Sequence, residues 1–164
     1  MKKFTSILFA LISLSAISQT SNADLMAIIQ KLQADEGNTY LRTLAPTEEE
    51  CLEIMMTPES GAQLYDYSSG KYATIDQVPE DALKALTAGG RTAIIKASKE
   101  QLLEGDAGAF PEEYTGMAAY LAEGQAIYGM QFVNTDREIE KTRSAFFKTS
   151  DRWVLIPLAY RFNQ

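Results

Sequence analysis

The chain contains no histidine and a single cysteine, Cys51, among its 164 residues. The first absence removes Ser–His and Cys–His nucleophilic catalysis, the usual general base near neutral pH and the commonest metal ligand. One thiol without any imidazole also leaves zinc, copper and iron without a ligand set, so no metal site and no cofactor are expected. The run Gly89-Gly90-Arg91-Thr92 lacks the Gly-Lys-Ser/Thr ending of a phosphate loop. Neither a dinucleotide fingerprint nor a nucleophile elbow occurs. Cys51, Ile54 and Met55 fall at i, i+3 and i+4, on one helical face, so the lone thiol reads as a buried, inert hydrophobe.

Apolar runs of membrane length are missing as well. The one long uncharged stretch, Phe4 to Ile17, follows the positive Met1-Lys2-Lys3 and spans fourteen residues, where a transmembrane helix needs about twenty. A positive start, a short apolar run and a small-residue exit make a secretory signal. Ser21-Asn22-Ala23 offers a cleavage site before Asp24, and Ala16-Ile17-Ser18 offers another before Gln19. Residues 1–23 are therefore expected to be an export signal and 24–164 a single mature domain, periplasmic or secreted, with no membrane insertion once the signal is gone. No cysteine lies in or just after the run to carry a lipid anchor.

Positive charge is scarce in the first half. Between Asp24 and Gly90 stand twelve acidic and four basic residues; from Arg91 to Gln164 the numbers are ten and nine. The net charge of the chain is −7, and removing Lys2 and Lys3 with the signal makes the mature protein more acidic still. Such a surface repels phosphate backbones and anionic membranes, which excludes nucleic acid as an expected partner. It favours a cationic protein electrostatically, and it also simply keeps an exported protein in solution.

Periodicity divides the chain. Leu25, Ile28, Ile29 and Leu32 are spaced as a helical stripe with Asp24 as its cap, and Asp35-Glu36-Gly37-Asn38 breaks it. Thr47-Glu48-Glu49-Glu50 is a capping box before a helix carrying Cys51, Leu52, Ile54 and Met55. Thr57-Pro58 restarts the chain with a cap and a proline at the first helical position, and Ser68-Ser69-Gly70 is expected to stop that helix. Pro79 opens a further helix through Leu83 and Leu86, closed by Gly89-Gly90. Thr92 to Ala97 is then strand-like, and Ser98-Lys99-Glu100-Gln101 is a second capping box. Glu104 to Thr115 reads as a loop, followed by strands over Gln125–Val133, Glu140–Lys148 and Arg152–Ala159 joined by turn residues. Helices first and adjacent strands after make an α+β fold, with N-terminal helices packed on a curved antiparallel sheet of about four strands. By element order this layout resembles the NTF2-like or cystatin-like cone.

Carboxylates are the remaining catalytic currency. Glu48, Glu49, Glu50 and Glu53 are the densest acidic cluster, but they occupy the first turns of a helix, where negative charge meets the dipole favourably. Asp106, Glu112 and Glu113 share a glycine-containing loop without the spacing of a calcium loop.

The most characteristic segments are Phe110-Pro111-Glu112-Glu113-Tyr114, Tyr128-Gly129-Met130-Gln131-Phe132, Arg152-Trp153 through Pro157, and Tyr160-Arg161. Over roughly Arg91 to Phe162 they resemble the ending of small exported bacterial domains of unassigned function. Ser150-Asp151 departs from that pattern where Asn-Gly is expected, and Leu158-Ala159 where Lys-Pro is expected. The resemblance implies no activity. Tyr114, Trp153, Tyr160 and Arg161 are the candidate binding residues, with Arg161 beside aromatics as a cation for an anionic group; the competing reading makes the aromatics core. The function these observations favour is a non-enzymatic protein-binding module, inhibitor-like towards a cationic partner. A small-ligand-binding cone or a carboxylate-based hydrolase is the alternative. Proline at position 157 within the last strand suggests a sheet edge or a bulge.

Overall fold

The structure, a computed structural model, describes residues 22–79, 81–84 and 88–164. The elements in order are α1 (22–33), α2 (Thr39–Arg42), α3 (Glu48–Ile54), α4 (Pro58–Ala73), a 3-10 turn (Ile75–Gln77), β1 (Arg91–Ser98) and α5 (Lys99–Leu103). A 3-10 helix (Glu112–Tyr120), β2 (Ala126–Val133), β3 (Ile139–Lys148), β4 (Trp153–Leu155) and a last 3-10 turn (Ala159–Arg161) follow. The fold is α+β, with one antiparallel sheet in the order β1-β2-β3-β4. No helix among the described residues is long and apolar enough to cross a membrane.

Local chemistry sets the element boundaries. Thr47 accepts from the Glu50 amide while Glu50 accepts from the Thr47 amide, and Thr57–Ser60 and Ser98–Gln101 close the same reciprocal box. Gly37 and Asn38, both at positive φ (64° and 56°), turn the chain out of α1, and the Asp35 carboxylate caps α2 by accepting from the Tyr40 and Leu41 amides at 2.8 Å each.

Four expectations need correction. Helix α1 is already running at residue 22, so Asp24 lies inside it and is not its cap. Helix α4 passes through Ser68-Ser69-Gly70 to Ala73, because Ser68 is buried and that face is held by packing. The segment after Pro79 forms turns over 81–84 in place of a helix; Leu86 lies outside the described residues, as does the signal segment over residues 1–21. The last strand is three residues long: Ile156 exchanges both of its bonds with Ala145, so the nitrogen of Pro157 faces away from β3, and Leu158 then adopts a left-handed conformation (φ 53°) that turns the chain into a 3-10 helix.

The sheet is buried on both faces. Phe146 and Phe147 are neighbours on β3, so their side chains point to opposite sides, and each is fully buried in a different apolar cluster. One cluster joins Ile127, Phe147 and Val154 to α3, α4, α5 and the Glu112–Tyr120 helix. The other joins Met130, Phe146 and Trp153 to Leu25, Ile29 and Leu32 of α1 and Leu41 of α2. Helix α4 runs along the β4 edge. The Tyr72 hydroxyl donates to the Leu155 carbonyl at 2.8 Å, the Tyr67 hydroxyl donates to the Pro157 and Leu158 carbonyls at 3.0 and 2.9 Å, and the Leu155 amide donates to the Leu44 carbonyl at 2.9 Å. These bonds satisfy an edge that would otherwise invite another strand.

Two glycines of α4 separate helix propensity from packing. At Gly70 an added Cβ meets nothing within 4 Å, whereas at Gly61 it would sit 2.9 Å from the Leu52 Cα of α3. Gly70→Ala is expected to raise stability by about 0.5–1 kcal/mol through backbone entropy. Gly61→Ala is expected to lower it by about 1–3 kcal/mol, because two helix backbones must move apart. Urea unfolding of the two variants checks both signs; stabilisation by Gly61→Ala would show that the α3–α4 crossing is loose.

Candidate functional site

Of the four candidate binding residues, the structure gathers three and separates the fourth. Tyr114, from the Glu112–Tyr120 helix, meets Tyr160 edge-on with ring centroids 4.9 Å apart. The Arg161 guanidinium lies 5.4 Å over the Tyr160 ring, and its Nε donates to the Tyr160 hydroxyl at 3.2 Å. Trp153 sits in the cluster on the other face of the sheet, edge-on to Tyr128 at 4.8 Å. Tyr114 is 0% exposed and Trp153 3% exposed, so both serve the core, while Tyr160 is half-buried and Arg161 exposed.

The acidic helix α3 is partly spent on structure. Glu50 accepts from Arg152 at both oxygens, 2.7 Å from Nε and 2.8 Å from Nη2. The same guanidinium donates to the Thr43 and Ala45 carbonyls at 2.5 and 2.7 Å, so it ties the β3–β4 hairpin to the loop entering α3. Burial works against the charged form of Glu50, but the bonds from Arg152 and Thr47 and the guanidinium charge outweigh it and hold the carboxyl below its ordinary value. That direction is the reverse of what a general acid needs. Glu53 accepts from the Ser150 amide and hydroxyl at 2.5 and 3.0 Å. Between these carboxylates Cys51 is fully buried, and burial first, then the charges of Glu50 and Glu48, push its thiol up to about 12. It carries no thiolate near neutral pH and is inert. The Asp106 carboxylate closes its own turn by accepting from the Gly108 amide at 2.8 Å, and among the described residues no three His, Cys, Asp or Glu side chains converge as a metal site requires.

What sequence reasoning missed is an exposed apolar corner beside the remaining acids. Leu52, which the sequence places on the same helix as the Cys51, Ile54 and Met55 face, is 40% exposed, Met56 is 55% exposed and Tyr120 36%. The Met56 amide donates to the Tyr120 carbonyl at 2.7 Å and Met55 bridges Leu121, which brings the end of α3 against the end of the Glu112–Tyr120 helix. Met56, Glu59, Gln63 and Tyr120 line a hollow of about 470 Å³ there. Glu48 and Glu49 are exposed on the first turn of α3, four and three residues before Leu52 on one helical face, and Glu59 is exposed on the first turn of α4. None of these three acids is in a salt bridge among the described residues. The one available signal was that Leu52 lies off the face defined by Cys51, Ile54 and Met55; Met56 follows the extended C-cap Met55, outside the helix.

No family model, curated protein or solved structure matches the chain.

Proposed function

We propose that the protein is a non-enzymatic binding module, exported by its N-terminal signal, and that it engages a cationic protein partner through the α3–α4 corner. The observation that carries this reading is the exposed Met56 and Tyr120 at one hollow, with Leu52 exposed on the adjoining α3, and the carboxylates of Glu48, Glu49 and Glu59, which form no salt bridge among the described residues. An apolar centre with a charged rim is the anatomy of a protein interface. The acids steer a basic partner and set its register, and the buried apolar contacts supply the affinity. The carboxylate-hydrolase alternative is disfavoured by Glu50, whose proton affinity is lowered in a site already saturated by Arg152.

The test compares the mature protein with two variants, Met56→Asp and the double charge reversal Glu48→Lys with Glu49→Lys, in capture from its own envelope followed by titration of the purified partner. Met56→Asp is expected to raise Kd about tenfold or more. The charge reversal is expected to slow association and to remove the salt dependence of binding. A partner retained equally by all three proteins, or recovered undiminished in about 0.5 M salt, would overturn the proposed surface.

A further inference from the structure

A second site lies where β4 ends early. Among the described residues, β4 pairs with Phe146, Phe147 and Lys148, and after the Ala145–Ile156 bonds no strand lies beside the outer edge of β3 from Ile139 to Ser144. Leu158, left-handed at φ 53°, turns the chain away from β3 there. In that gap Arg143 is half-buried, its Nε donating to the Ala82 carbonyl and its Nη1 to the Thr142 carbonyl, each at 2.9 Å. Among the described residues, two of the guanidinium's five N–H groups are thereby used. Among the described residues it has no carboxylate within salt-bridge distance. Burial pulls its pKa below the ordinary guanidinium value and the charge of Asp81 partly offsets this, so an additional anion would be welcome there.

Two hollows meet at Arg143 and Pro157. One, of about 170 Å³, is walled by Ile75, Val78, Leu83 and Leu155. The other, of about 310 Å³, is walled by Pro111, Thr142 and Leu158. The outer wall is fixed from behind, because Tyr67 binds both the Pro157 and Leu158 carbonyls. A guanidinium that lines an apolar hollow, with donors uncommitted among the described residues, matches a carboxylate carrying an apolar chain: the head takes a charge-assisted, two-pronged bond and the chain displaces poorly held water. The smaller hollow is well below the roughly 300–1,000 Å³ of a drug-sized site, which limits the chain to a short one.

We propose that this cleft binds a small aliphatic monocarboxylate, with its head on Arg143 and its chain against Ile75, Val78, Leu83 and Leu155. The site is separate from the α3–α4 corner, so Met56→Asp leaves it intact. Calorimetric titration of the full mature protein with octanoate, octanol and octyltrimethylammonium tests it. Octanoate is expected to bind saturably at one site and at least about tenfold more tightly than octanol, with no heat from the cation. Arg143→Gln is expected to weaken octanoate about tenfold or more, and Val78→Phe, which fills the hollow without touching a charge, to abolish it. Lys141→Gln is the control. Lys141 donates to the Asp81 and Lys84 carbonyls at 3.1 and 3.4 Å, so it pins the same segment from outside the cleft, and its loss should leave octanoate within about twofold. Octanol binding as tightly as octanoate, no saturable binding, or octanoate unaffected by Arg143→Gln would each overturn the proposal. If Arg143→Gln loses its cooperative unfolding transition, the ligand comparison on the wild type and Val78→Phe still decide it.

Discussion

Replacing Phe147 by alanine is expected to lower stability by about 3–5 kcal/mol, and Phe146→Ala by a similar amount. Both rings are fully buried, and each loses its transfer free energy and leaves a cavity that a sheet clamped between two helical layers cannot collapse. The more informative expectation concerns cooperativity. Phe147 belongs to the layer of α3, α4 and α5, while Phe146 belongs to the layer of α1 and α2 with Trp153, the sole tryptophan. If the sheet couples the two layers into one unit, Phe147→Ala shifts the urea midpoint seen by Trp153 emission and by far-UV dichroism equally. Emission that holds at its wild-type midpoint while dichroism melts early would show that the two layers unfold separately. Against a total of about 5–15 kcal/mol for a domain, the double variant is expected to be largely unfolded without denaturant.

Arg152→Ala is the second large effect, at about 2–3 kcal/mol. It removes a two-pronged bond to Glu50 and two bonds to backbone carbonyls, and it leaves a carboxylate only 13% exposed without its cation. The figure is set below the full cost of breaking a buried pair because the Arg152 side chain is itself 37% exposed and partly screened. The pH dependence gives a sharper test. The folded pKa of Glu50 is depressed below its ordinary 4.5, so the unfolded chain takes up the proton first as pH falls. The stability linked to Glu50 is fully present above about pH 5, and is lost as pH falls through the folded value. In the wild type, stability should therefore decline over that acid range. The Arg152→Ala variant should decline less, and the gap between the two should narrow towards pH 3. A gap that stays constant from about pH 7 to 3 would mean that the arginine stabilises through its carbonyl bonds and not through Glu50.

The local signals in the sequence carried a long way. Three N-caps, at Thr47, Thr57 and Ser98, form as their residue types predict, because a capping bond spans three residues and needs nothing from elsewhere. The strand cores over 92–97, 126–133 and 140–148 follow from β-branched and aromatic runs between turn residues, as does the antiparallel order. Burial of Cys51 follows from helical spacing. The misplaced boundaries were those where propensity and packing disagree. Ser68 and Gly70 are poor helix residues, but α4 is held along the β4 edge by Tyr67 and Tyr72 and continues past them.

The sequence by itself determined the α+β class, the order of the strands and the absence of imidazole chemistry, since these depend on residue type and on spacings within a turn or a strand. Only the tertiary structure decided what each side chain meets. Glu50 finds Arg152 across 102 positions, and Arg143 finds Ala82 across 61. Trp153 and Tyr114 part to opposite faces of the sheet, and Leu52 stays exposed beside its buried helical neighbours. The physical reason is that strand register and layer packing fix these encounters. A strand shifted by one residue would exchange its two faces, and no short-range spacing records which face meets which layer.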